Sequence, residues 1–140
     1  MNTSDFKSLL AESEFTSKEF LEVLAKDKNL EVRKSVAKNP NTSKEILKIL
    51  ANDKDWDVRE SVAKNSNISK ETLEVLAKDK SWSVRVHVVL NPNIPREIIE
   101  IFVKRNPKTS KEILELLAKD KSLNVRKHVA RNPKISKKIK

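Results

Sequence analysis

Residues 42–67 read TSKEILKILANDKDWDVRESVAKNSN, and nearly the same string stands on both sides of them. Residues 16–41 read TSKEFLEVLAKDKNLEVRKSVAKNPN, and residues 68–93 read ISKETLEVLAKDKSWSVRVHVVLNPN. A shortened unit, IPREIIEIFVKRNPK, fills 94–108. The full unit TSKEILELLAKDKSLNVRKHVARNPK fills 109–134, and ISKKIK at 135–140 opens another. The full units are equal in length, and the short one lacks the stretch that reads DKSWSVRVHVV in the unit before it. Self-similarity at a fixed period of this size is the signature of a repeat array.

Each full unit carries two helical patterns. In 42–67 the first runs from about Ser43 to Asn52, with Ile46, Leu47, Ile49, Leu50 and Ala51 at helical spacing. Thr42 with Glu45 three residues on reads as a capping box, as do Thr16/Glu19 and Thr109/Glu112. Ile68 and Ile94 lack the hydroxyl and predict weaker caps. Pro95 stands where Ser43 stands, which suits a first helical position. The second pattern runs from about Asp57 to Lys64, with Val58, Val62 and Ala63 facing inward. It stops at Asn65, and Asn39, Asn91 and Asn132 hold the same place. In a chain without Gly, these Asn residues predict left-handed C-caps, and the Pro that usually follows blocks continuation.

Helices of about ten residues are marginal alone, so neighbouring units must stack to bury their apolar faces. Residues 1–15 align with a second helix, placing Leu9, Leu10 and Ala11 where Ser35, Val36 and Ala37 stand. The expectation is one all-α domain over residues 1–140, a right-handed α-solenoid of short two-helix repeats. Residues 1–15 would cap its N-terminal end, and 135–140 would form a C-terminal stub.

Composition narrows the chemistry. The chain has 140 residues, with 30 Lys plus Arg against 20 Asp plus Glu, and a net charge of +10. Residues 94–140 carry +9 of that charge. The absence of Cys excludes disulfides, thiol nucleophiles and Cys-based metal sites. The absence of Gly excludes Gly-rich phosphate loops and disfavours tight hairpins. No apolar run approaches the roughly 20 residues of a membrane span. Residues 1–15 carry three acids and one Lys, the wrong sign for a signal peptide. A soluble, cytoplasmic protein is expected.

The unit resembles the leucine-rich repeat variant family, whose repeats follow NP-x-TP-x-E-L-L-x-x-L-A-x-D-x-x-x-x-V-R-x-x-V-A. It is also similar to HEAT-type repeats in placing Asp six residues before Arg, as in Asp27/Arg33, Asp53/Arg59, Asp79/Arg85 and Asp120/Arg126. The resemblance spans residues 16–135 and implies an interaction scaffold. Three features depart from it. Ser replaces the Pro of the family's TP except at Pro95, one unit is shortened, and no cysteine cluster is present, so no iron–sulfur centre is implied.

Candidate sites follow from the same register. The Asp–Arg pairs read either as four arginines offered to phosphates or as a structural ladder, each Arg forking to Asp carboxylates of its own and the neighbouring unit. Recurrence in every full unit favours the ladder. His87 and His128 share one unit position, held elsewhere by Ser35 and Ser61. With a short unit between them they should lie about 20 Å apart, too far to share a metal, and are read as surface residues. Carboxylates recur at caps and charge pairs, so no catalytic constellation, cofactor or small-molecule substrate is expected.

Trp56 and Trp82 are aligned with Leu30 and Leu123, which favours core or staple packing over an exposed aromatic ridge. The outward face of the second helices is the expected binding surface: Lys34, Ser35 and Lys38, then Glu60, Ser61 and Lys64, then Val86, His87 and Leu90, then Lys127, His128 and Arg131. Val86 and Leu90 are expected to pack on a helix at Ile98–Phe102, at a kink. The favoured function is non-enzymatic capture of a protein partner. The alternative is DNA or RNA binding through Lys127, Arg131, Lys134, Lys137 and Lys138 with Lys34, Lys38 and Lys64.

Overall fold

Because the apolar pattern recurs from unit to unit, so do the elements it builds. The computed structural model describes residues 2–95, together with residues 97, 98, 119, 123 and 126. Among them seven α-helices follow in order: α1 (Thr3–Glu12), α2 (Lys18–Leu24), α3 (Leu30–Lys38), α4 (Lys44–Leu50), α5 (Trp56–Lys64), α6 (Lys70–Leu76) and α7 (Trp82–Leu90). The longer helices stack in sequence, α1 on α3, α3 on α5 and α5 on α7. Each shorter helix packs on the longer helices before and after it. Skip-one packing of this kind is what a repeat array produces.

The core is built from equivalent positions. Leu21, Leu47 and Leu73 are buried, as are Leu24, Leu50 and Leu76 on the same helices. From the longer helices come Val32, Val58 and Val84, then Val36, Val62 and Val88. Each Leu removed from water contributes about 1.5–3 kcal/mol, which no seven-residue helix could realise alone. Val86 and Leu90 are partly buried against this core, and Ile98 is fully buried. Phe102 and the expected kink lie outside the described residues. So do most of 94–108 and 109–134, the stub at 135–140, and Asp120, Lys127, His128, Arg131 and Asn132.

Two expectations about helix ends are overturned. The caps of the short helices are Ser17, Ser43 and Ser69, one residue after the Thr position, and their hydroxyls accept from the amides of Phe20, Ile46 and Thr72. Ile68 therefore costs α6 no cap. Thr42 is buried, and its hydroxyl donates back to the Val36 carbonyl at 2.6 Å. Thr16 donates likewise to Leu10. The Thr thus ties its unit to the end of the preceding helix, while Ser does the capping. Pro95 stands in the cap slot rather than inside a helix.

The second correction concerns the Asn residues. Asn39, Asn65 and Asn91 have φ of −66°, −75° and −63° with extended ψ, and no described residue has positive φ. Their side chains are buried and reach the preceding unit. Asn65 Nδ2 donates to Ala37 O at 2.8 Å and to Asn39 O at 3.0 Å. Asn39 makes the same pair of bonds to Ala11 and Ser13, and Asn91 to Ala63 and Asn65. Each Oδ1 accepts the amide two residues on, at Asn41, Asn67 and Asn93. The helix is stopped by a buried side chain that spans units, and no left-handed residue is required.

Candidate binding surface

The Asp–Arg pairs are internal. Arg33 Nε donates to Asp53 Oδ2 at 2.8 Å and its Nη2 to Oδ1 at 3.3 Å, a bidentate fork onto the next unit. Nη2 also reaches Asp55 at 2.5 Å, and Nη1 reaches the Asp27 carbonyl at 2.9 Å. Arg59 repeats the fork on Asp79 at 2.8 and 3.2 Å, with Nη1 on the Asp53 carbonyl at 2.7 Å. The expectation that each Arg would also take its own unit's carboxylate is corrected. That carboxylate instead accepts the backbone amide two residues on, at Asn29, Asp55 and Ser81, and organises the turn before the long helix. Arg33 and Arg59 are 5% and 6% exposed, so neither is offered to phosphates. The Asp53 carboxylate holds the Arg33 guanidinium further on the charged side than an ordinary arginine.

Both ends of the ladder depart from the pattern. Lys7, one full repeat before Arg33, pairs with Asp27 at 2.8 Å, and so α1 supplies the first rung. Arg85 donates to the Asp79 carbonyl at 2.6 Å, but its buried Nε has no hydrogen-bond partner among the described residues. Arg126 is partly buried, and its expected partner Asp120 lies outside the described residues.

The expected surface on the long helices is largely spoken for. Lys34 is partly buried and 3.9 Å from Glu31, and Lys64 is 3.0 Å from Glu60. Only Lys38 of the three lysines is exposed without an ion pair among the described residues. Ser35 and Ser61, read as outward, are buried between successive long helices. His87, in the same position, is partly buried, with Nδ1 2.8 Å from the Ser83 carbonyl and 3.9 Å from Glu60. Burial pushes the Glu60 carboxyl up, but the Ser83 hydroxyl and the Lys64 ammonium outweigh it and leave Glu60 below its usual range.

A different surface emerges at the start of the long helices. Trp56 and Trp82 are 49% and 47% exposed, so the core-packing reading is corrected. Val58 and Val84, two residues on, fill the core slot instead. Leu30, in the equivalent place, is partly buried against the core, and Leu123 is exposed. Exposed Lys28, Lys54 and Lys80 stand two residues before Leu30, Trp56 and Trp82 and form no ion pair among the described residues. Four of the neighbouring acids are occupied, Asp27 by Lys7, Asp53 and Asp55 by Arg33, and Asp79 by Arg59, while Asp57 forms no ion pair among the described residues. This Lys–aromatic register was present in the sequence as K-x-W in two consecutive units, but the Leu30 and Leu123 equivalents disguised it as a core position.

A second exposed apolar row was not anticipated: Val23, Ile49 and Val75 on α2, α4 and α6. Beside it, Lys48, Ala51, Asn52, Glu71, Thr72 and Val75 line a shallow apolar cleft between α4 and α6. Among the described residues no cluster of His, Asp and Glu could hold a metal ion, and no helix is long and apolar enough to cross a membrane. Compared with protein-family models, curated proteins and solved structures, the chain matches none.

Proposed function

We propose that the chain is a macromolecule-binding scaffold, an α-solenoid of the leucine-rich repeat variant type that does no chemistry of its own. Asn39, Asn65 and Asn91 each donate to backbone carbonyls of the preceding unit, and Arg33 and Arg59 each take a carboxylate of the next. That division leaves the remaining matched positions as surface rows. The observation that carries the reading is the pair of half-exposed indoles at one unit position, since Trp is prominent among binding hot spots and adds little stability where it is open to water. The gripping surface is then the edge where the long helices begin, rather than their outward face, whose charges are mostly neutralised locally.

Small-angle scattering tests the architecture. A compact 140-residue protein has a radius of gyration of about 14 Å, and an elongated array exceeds it. Cross-linking in source-cell extract, with wild type beside Trp56→Ala and Trp82→Ala, tests the surface. Loss of cross-linked partners in variants that melt like wild type is expected. A compact particle, or an unchanged set of partners, would overturn the proposal.

A further inference from the structure

We infer that the row Lys54–Trp56 and Lys80–Trp82 binds single-stranded nucleic acid, with bases stacked on the indoles and phosphates held by the lysines. The inference rests on the scaffold reading and names the partner of that surface. Indole faces open to water are stacking platforms, and they accept any base because every base has a π-face. The charge beside them is weighted towards lysine. Lys28, Lys54 and Lys80 are unpaired among the described residues, Asp27, Asp53, Asp55 and Asp79 are held by Lys7, Arg33 and Arg59, and Asp57, next to Trp56, forms no ion pair among the described residues. Trp82 is flanked by Ser81 and Ser83 with Lys80 before them; the Ser83 hydroxyl donates to the Glu60 carboxylate, which Lys64 pairs at 3.0 Å.

Spacing selects the strand. Trp56 and Trp82 open α5 and α7, which pack directly on one another. Helix axes in contact lie about 8–10 Å apart. Stacked nucleotides rise only about 3.4 Å per strand. One base on each indole therefore requires an unstacked, extended strand, and a duplex keeps its bases inside.

The chain has two Trp residues, so intrinsic fluorescence reports on this row alone. The experiment titrates the full chain with oligo-dT, oligo-U and a duplex of equal length, at low and moderate salt. Indole quenching by the single strands is expected, with the duplex at least about tenfold weaker. Trp82→Ala and Trp56→Ala should each lower affinity by about 5- to 100-fold. Lys54→Glu with Lys80→Glu, both exposed, should weaken binding and flatten its salt dependence, even if a Trp variant proves hard to fold. Binding without quenching, or binding indifferent to both pairs of variants, would mean general attraction to the basic residues 94–140 and would overturn the inference. If oligonucleotides fail to bind while Trp variants lose a cross-linked acidic protein, the inference falls and the scaffold reading stands. If the Trp variants change neither readout, both fall.

Discussion

Replacing Asn65 by Gly separates the two ways a helix can end here. If Asn65 occupied a left-handed cap, Gly would relieve steric cost and leave stability equal or higher. The backbone is instead extended at φ −75°, and the side chain, 5% exposed, makes three hydrogen bonds. Nδ2 bonds Ala37 O at 2.8 Å and Asn39 O at 3.0 Å, and Oδ1 takes the Asn67 amide at 2.8 Å. Each such bond contributes about 1 kcal/mol, and a buried carbonyl left bare adds its desolvation cost. Asn65→Ala should therefore cost about 3–5 kcal/mol, a large share of a total near 5–15 kcal/mol. Asn65→Gly should cost about 0.5–1 kcal/mol more through added freedom of the unfolded chain. Exposed Asn52, replaced by Ala, should change stability by less than about 0.5 kcal/mol. Urea unfolding followed by far-ultraviolet circular dichroism measures all three. A Gly variant at or above wild-type stability would refute the ladder.

Two further outcomes follow from the charged ladder. Asp79→Ala should cost about 3–5 kcal/mol, because it strands the buried Arg59 guanidinium, whereas Arg85→Leu should cost clearly less than Arg59→Leu, since Arg85 Nε has no partner among the described residues. Equal losses in the two Leu variants, measured by the same unfolding assay, would remove the distinction between complete and open rungs. Acidification should destabilise the fold. The Lys7 ammonium, with the Asn29 amide, holds Asp27 below its ordinary value, and Glu60 is held down against its burial. Both contributions are fully present above the unfolded-chain values near pH 4 and are lost as pH falls below them. Melting temperature should drop on that limb, and Lys7→Met should make the drop shallower.

Period and element type were legible because they depend on spacing alone. Leu47 and Leu50, or Val58 and Val62, announce a buried face whatever their partners. Legibility failed where one residue type serves two purposes. Thr42 and Ser43 both carry hydroxyls suited to a cap, and only burial shows that Thr42 is committed to Val36 while Ser43 caps. Asn65 suits both a left-handed turn and a buried amide donor, and the choice depends on the Ala37 and Asn39 carbonyls, 28 and 26 residues away. Trp56 aligned with Leu30 looks like core, yet the slot is already filled by Val58. The surface row was therefore the least legible feature, since exposure at one position is decided by what its neighbours have already buried.

The missing Gly and the exposed Trp row have a common physical origin. A long helix that ends on a buried Asn fixes the next unit by side-chain bonds to backbone, so its register does not depend on the loop. At the other end, Asp27, Asp53 and Asp79 fix the turn before each long helix through a backbone amide and are themselves held by a cation one unit back. With both ends pinned by groups turned inward, the first residues of α5 and α7 are left half-exposed, whereas Leu30 at the start of α3 still packs partly against the core. This first position is Leu at 30, Trp at 56 and Trp at 82, a position at which the side chain varies while the backbone does not. In a repeat array such positions are where a partner can be specified without disturbing the stack. Two adjacent indoles, each following a Lys that forms no ion pair among the described residues, use that freedom in the same way twice.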